Sequence, residues 1–123
     1  MQLITPFNTA KLDKILSDQT LQNEQERQNL LRKAIKWLDE YALHYGIHTA
    51  YIFGSLTQPN KFHQNSDVDI AVEEINLNDF FAVMGLLSET MGRNVDITEI
   101  HKCHFRERIK QAGIRWTATD LSC

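Results

Sequence analysis

Between residues 21 and 46 apolar side chains return every three or four positions, at Leu30, Leu31, Ala34, Ile35, Leu38 and Ala42. That is the period of one face of an α-helix. It predicts a core-packing helix that stops at Gly46, a residue type suited to the left-handed cap of a helix end. Charged residues fill the other positions. Glu24 and Glu26 lead and Lys33 and Lys36 follow, as the helix dipole favours. The stretch ahead, residues 1–20, is mixed. Pro6 and Asn8 read as a turn or cap, and Leu12, Ile15 and Leu16 have helical spacing over a short span. This segment is expected to form an extension that packs on the domain or on a partner.

After residue 46 the period changes. Residues 49–53 (TAYIF) are apolar on both faces, the pattern of a central strand covered on two sides. Gly54-Ser55 ends it, and residues 58–66 are rich in turn formers. Residues 67–73 alternate. Val68, Ile70 and Val72 fall on one face of a second strand, and Asp67, Asp69 and Ala71 on the other. Cap residues at 76–79 precede a helix over 80–91, with Phe80, Phe81, Met84, Leu87 and Met91 near one stripe and Gly92 as its stop. Residues 94–100 read as a third strand, with Val95 and Ile97 on one face and Asp96 on the other. A last helix is predicted over 104–112, buried through Phe105, Ile109 and Ala112 and ended by Gly113; Ile114, Arg115 and Trp116 then form a short strand. The expected class is α/β (α+β), a small mixed sheet flanked by helices. Its parts are an N-terminal helical extension (1–20), the main domain (21–116) and a frayed tail (117–123).

Composition narrows the function. A chain of 123 residues, 42% apolar and 24% charged, suits one soluble domain with a modest core. A formal net charge of −3 leaves no bulk basic footprint, so direct nucleic-acid binding is disfavoured. No apolar run approaches the roughly 20 residues that span a bilayer. The first residues lack the basic and apolar regions of a secretory signal. Cys103 and Cys123 suggest no disulfide framework, and both thiols are expected to stay reduced in the cytoplasm.

Asp67 and Asp69 stand side by side on their strand, roughly 6–7 Å apart from the rise per residue. Like charges so placed repel, and a divalent cation would relieve them. Hard cations such as Mg²⁺ favour carboxylate oxygens completed by substrate phosphates. If the third strand pairs beside the second, Asp96 joins them. Three carboxylates at a sheet edge would then suit one or two Mg²⁺ ions clamping a phosphoryl group. A carboxylate not fully engaged by metal could receive the proton of an attacking hydroxyl. Gly54 and Ser55 would offer backbone N–H groups and a hydroxyl to phosphates.

Gly-Ser after a strand, eleven residues, then Asp67-Val68-Asp69 and a further outward aspartate in Asn94-Val95-Asp96-Ile97 resembles the nucleotidyltransferase superfamily related to DNA polymerase β. Small size and element order resemble its minimal nucleotidyltransferases, over roughly residues 30–116. The resemblance implies that Gly54 and Ser55 hold the triphosphate of ATP and that Asp67, Asp69 and Asp96 carry Mg²⁺. It implies transfer of AMP with release of pyrophosphate. Many such proteins are antitoxins paired with a helical HEPN ribonuclease toxin, and they adenylylate a tyrosine of that partner.

The pattern departs from the family at one point. Many minimal members follow Gly-Ser with a basic residue, and here Leu56 and Thr57 follow. The nearest cations are Lys61 and His63, either of which could meet the pyrophosphate, Lys61 being the expected nucleotide contact. His101, Lys102, Cys103 and His104 match no zinc spacing, Trp37 and Trp116 read as packing residues, and Arg93 lies just before the third strand. Two rival readings remain. One is an antitoxin that masks its partner by binding alone. The other is a transferase with a small-molecule acceptor, a class that generally carries an added helical domain this chain lacks.

Overall fold

The computed structural model describes residues 5–118. The periodic stretch from Leu30 to Ala42 lies in a helix that begins much earlier. Helix α1 runs unbroken through Thr5–Tyr41 and passes into a 3₁₀ turn, Ala42–Tyr45. Pro6 does not separate two elements. It falls in the first helical turn, where its missing N–H has no intrahelical acceptor to lose. The N-terminal segment is therefore helical as expected, but continuous with α1. Gly46 ends the turn at φ +81°, and a Cβ there would clash with Asn76 Oδ1.

Four strands follow: β1 (Thr49–Phe53), β2 (Val68–Val72), β3 (Val95–Glu99) and β4 (Ile114–Thr117), in the sheet order β3-β2-β1-β4. β1 pairs antiparallel with both β2 and β4, whereas β2 and β3 are parallel. The parallel pair needs a crossover. Helix α2 (Phe80–Met91) supplies it.

The sheet is covered on both faces, which is why β1 is apolar on both. On one face Ala50, Ile52, Val68, Ile70, Val72, Val95 and Ile97 pack with Leu30, Ala34, Trp37 and Leu38 of α1 and with α2. On the other, Tyr51 and Ala71 pack with Ile100, Cys103 and Ile109, the last from helix α3 (Arg106–Ala112). The Trp116 Nε1–H donates to Asp39 Oδ1 at 2.7 Å and fixes β4 to α1.

Two apolar stripes differ from expectation. Helix α2 is buried through Val83, Leu87 and Met91, spaced by four. Phe81, two positions before Val83, lies about 200° round the helix from it, and it is 80% exposed. In the seven-residue α3 only Ile109 is buried; Phe105 precedes the helix and is half exposed, and Ala112 is exposed. The neighbouring turn supplies the rest of that contact through Ile100 and Cys103. At the C-terminus Thr117 pairs with Thr49 and the Ala118 N–H donates to the His48 carbonyl, so order extends past the expected start of the tail. Residues 119–123 lie outside the described residues.

At its other end α1 outruns the domain. From Ala10 to Gln22 every residue is exposed. Yet Leu12 and Leu16 lie at the angular positions of Leu30 and Ala34, because 18 residues make five whole turns.

Candidate active site

The C-terminal end of β1 and the N-terminal ends of β2 and β3 share one edge of the sheet. In the register Phe53 lies opposite Asp69, and Asp69 lies opposite Asp96. Adjacent strands are about 4.8 Å apart, so Asp69 and Asp96 stand side by side. They share the face of Ala71 and Tyr51, away from α1 and α2. Asp67 immediately precedes β2 and falls on the same side by alternation. Asp67 and Asp96 are exposed, and Asp69 is half-buried.

Gly54 closes the other side. It adopts φ +78°, and a Cβ on it would lie 2.6 Å from Asp69 Oδ2. Only glycine provides both the positive φ and room for that carboxylate. The chain then makes a 3₁₀ turn, Gly54–Thr57, held by Thr57 Oγ1–H to the Gly54 carbonyl (2.8 Å) and Gln58 N–H to the Ser55 carbonyl (3.0 Å). The first amides of such a turn, at Gly54 and Ser55, have no acceptor within it.

Electrostatically the edge is unbalanced. Burial raises the Asp69 carboxyl above the ordinary carboxylate range, and the charges of Asp96 and then Asp67 raise it further. Among the described residues none of the three aspartates has an ion-pair partner. Nor, among those residues, do three or more His, Cys, Asp and Glu side chains form a group that could hold a metal ion. Two carboxylates, those of Asp69 and Asp96, do lie opposite each other in the register, and one or two carboxylates completed by water and substrate phosphate are what a Mg²⁺ ion takes.

The connection from 58 to 66 is tied to the rest of the molecule by residues that the sequence pattern does not single out. Lys61 is exposed on it, with its N–H donating to the Gln58 carbonyl at 3.0 Å. His63 is used within the loop: its Nδ1 accepts from Asn65 N–H at 3.1 Å, and its own N–H donates to Ser66 Oγ at 2.9 Å. Arg93 donates to the Ser66 carbonyl at 2.9 Å, lies 4.8 Å from the Phe62 ring centre and pairs with Glu26 of α1. Arg27 of α1 donates to the Leu56 carbonyl at 3.0 Å and to both oxygens of Glu24. A signal for Arg27 exists in the sequence. It lies three positions before Leu30, in the phase of the buried stripe, where a charge is out of place. Arg93 offers no comparable signal beyond its position before β3.

Known structures share this arrangement of elements. A toxin–antitoxin crystallised with AMP-PNP matches at 23% identity, covering 72% of this chain and 73% of that one, with a TM-score of 0.55. A mutant of the toxin–antitoxin MntA-HpeT matches at 22% identity, covering 72% of each chain, with a TM-score of 0.53. A minimal nucleotidyltransferase matches at 24% identity over 71% of this chain and 90% of that one, with a TM-score of 0.52. At these identities the likeness is one of fold. None of the curated proteins matches. Residues 32–120 match the family model described as polymerase beta, nucleotidyltransferase, which spans well over half of the chain, and the protein belongs to that nucleotidyltransferase family.

Proposed function

We propose that this nucleotidyltransferase is an antitoxin that transfers AMP from ATP to a tyrosine hydroxyl of a cognate HEPN toxin in the cytoplasm. The observation that carries this reading is the pairing of Asp69 with Asp96 in register, with the Gly54 backbone against Asp69. Toxin–antitoxin complexes among the structural relatives, one of them with AMP-PNP, support the partner and the nucleotide. No helix among the described residues is long and apolar enough to cross a membrane.

In this reading residues 21–116 carry the transferase, 1–20 form an extension and 117–123 a tail. Asp67, Asp69 and Asp96 hold Mg²⁺, which when bound neutralises charge on the phosphates. Gly54 and Ser55 take the triphosphate from the β1 side, and Lys61 approaches it from the connection. The tyrosine oxygen forms a bond to the α-phosphorus, the bond from that phosphorus to the bridging oxygen breaks, and pyrophosphate leaves. Asp96, exposed at the edge of the pair, receives the tyrosine proton. What the chain contributes is position and electrostatics, as in phosphoryl transfer generally.

The test is the intact mass of the cognate toxin after incubation with this protein, ATP and Mg²⁺. One or more added AMP units, absent with Asp69→Asn, are expected. An unchanged mass with a stable complex would replace transfer by masking. Neither a mass change nor a complex would point to a small-molecule acceptor.

A further inference from the structure

Arg27 is a cation in a place suited to an apolar side chain. It is 9% exposed, on the face of α1 that also carries Leu30, Ala34 and Leu38. Removing a guanidinium from water is costly unless its donors are satisfied. Here they are. Nε and Nη2 donate to the two oxygens of Glu24 at 2.9 and 2.7 Å, and Nη1 donates to the Leu56 carbonyl at 3.0 Å. The pair with Glu24 is local, three residues away on the same helix. The bond to Leu56 is the long-range one, and it reaches into the turn that follows Gly54.

Arg27 approaches that turn from the α1 side of the sheet, whereas the aspartates occupy the opposite face. Its contacts are with Glu24 and the Leu56 carbonyl, so its link to the site runs through the turn. Gly54–Thr57 has two internal ties near its ends, Thr57 to Gly54 and Gln58 to Ser55. Leu56 is itself fully buried in the core that α1 lines, and the bond from Arg27 adds a directed tie between its main chain and the helix behind it. A turn already fixed loses little freedom when a ligand docks, so the benefit falls on affinity and not on the chemical step.

We infer that Arg27 is a positioning residue for the nucleotide, bracing the Gly54–Thr57 turn through the Leu56 carbonyl so that Gly54 and Ser55 meet the triphosphate in place. This rests on the transferase reading given above. Glu24 is part of the device, because it orients the guanidinium with two hydrogen bonds.

The test is titration of wild type, Arg27→Met and Arg27→Lys with AMP-PNP and Mg²⁺, alongside thermal melts and the rate of toxin modification at saturating ATP. A hydrogen bond from a charged donor predicts about tenfold weaker binding for Arg27→Met, with the saturated rate within about twofold of wild type. Arg27→Lys keeps one donor for Leu56 and should bind within about threefold of wild type. If Arg27→Met does not fold, Glu24→Gln serves instead, with binding weakened about threefold in the folded protein. Wild-type affinity in the folded Arg27→Met or, in its place, Glu24→Gln overturns the inference and leaves the transferase standing. So does a loss that appears only in the saturated rate, or one that Arg27→Lys does not recover. Failure of the wild type to bind Mg²⁺ and AMP-PNP removes the transferase reading itself.

Discussion

Two carboxylates near the site are displaced in opposite directions. Asp69 is pushed above its ordinary range by burial and by Asp96 and Asp67. Glu24 is pulled down to about 2, chiefly by its hydrogen bonds from Arg27 and then Gln28. A raised carboxyl opposes folding when ionised, and the cost is relieved as pH falls through its raised value. A lowered one contributes stability above its unfolded value, and loses it as pH falls toward its folded value. In metal-free buffer at pH 7, Asp69→Asn should therefore melt above wild type, and the gap should close as the pH is lowered toward 4. Glu24→Gln should melt below wild type at pH 7, with that gap closing between about pH 4.5 and 2. Melting curves across that range check both signs. Asp69→Asn should also lose the stabilisation that Mg²⁺ and ATP give the wild type. The aspartates were legible in the sequence because each interrupts a strand whose other face is apolar. Arg27 and Arg93 were less so, because the bonds that tie them to the turn and the connection go to main-chain carbonyls, which every residue carries and no side-chain pattern marks.

Among the elements, those with two packed neighbours were the most readable. β1 is apolar throughout because α1 and α3 cover its two faces, and α2 returns every four residues because it lies flat on the sheet. Phe81 and Phe105 mislead because they sit at helix starts, where a side chain can project past the sheet into water. β4 is the other instructive case. An edge strand of four residues has one pairing partner, and its burial pattern shows one inward residue, Trp116. Trp116→Ala removes the packing of that ring and the bond to Asp39 together. It should cost about 3–5 kcal/mol, read from the shift in urea midpoint at unchanged slope.

At the scale of the whole molecule, α1 is a strap along one face of the sheet. Near its C-terminal end Asp39 holds β4. Toward its middle Arg27 and Glu26 reach Leu56 and Arg93, at the edge where the aspartates lie. Residues 12–22 run on past that edge, each of them exposed, and the phase of Leu12 and Leu16 repeats the stripe of the packed part. The extension was legible in Leu12, Ile15 and Leu16, but its continuity with α1 was not, since residues 17–23 carry the apolar period only through Leu21. This division has a consequence for exchange with solvent. Helical turns without tertiary contacts are marginal in water, because packing supplies most of a helix's stability. Amide protons along α1 should thus fall into two populations. Those from Leu12 to Gln22 should exchange with deuterium within seconds, while those from Leu30 to Leu38 should persist until the domain opens as a unit. The boundary should fall near Glu26 and Arg27, which reach Arg93 and the Leu56 carbonyl at the sheet edge. Peptide-resolved exchange would show one unbroken helix as two rate classes, and uniform protection along its length would mean that the overhang has found a contact in solution.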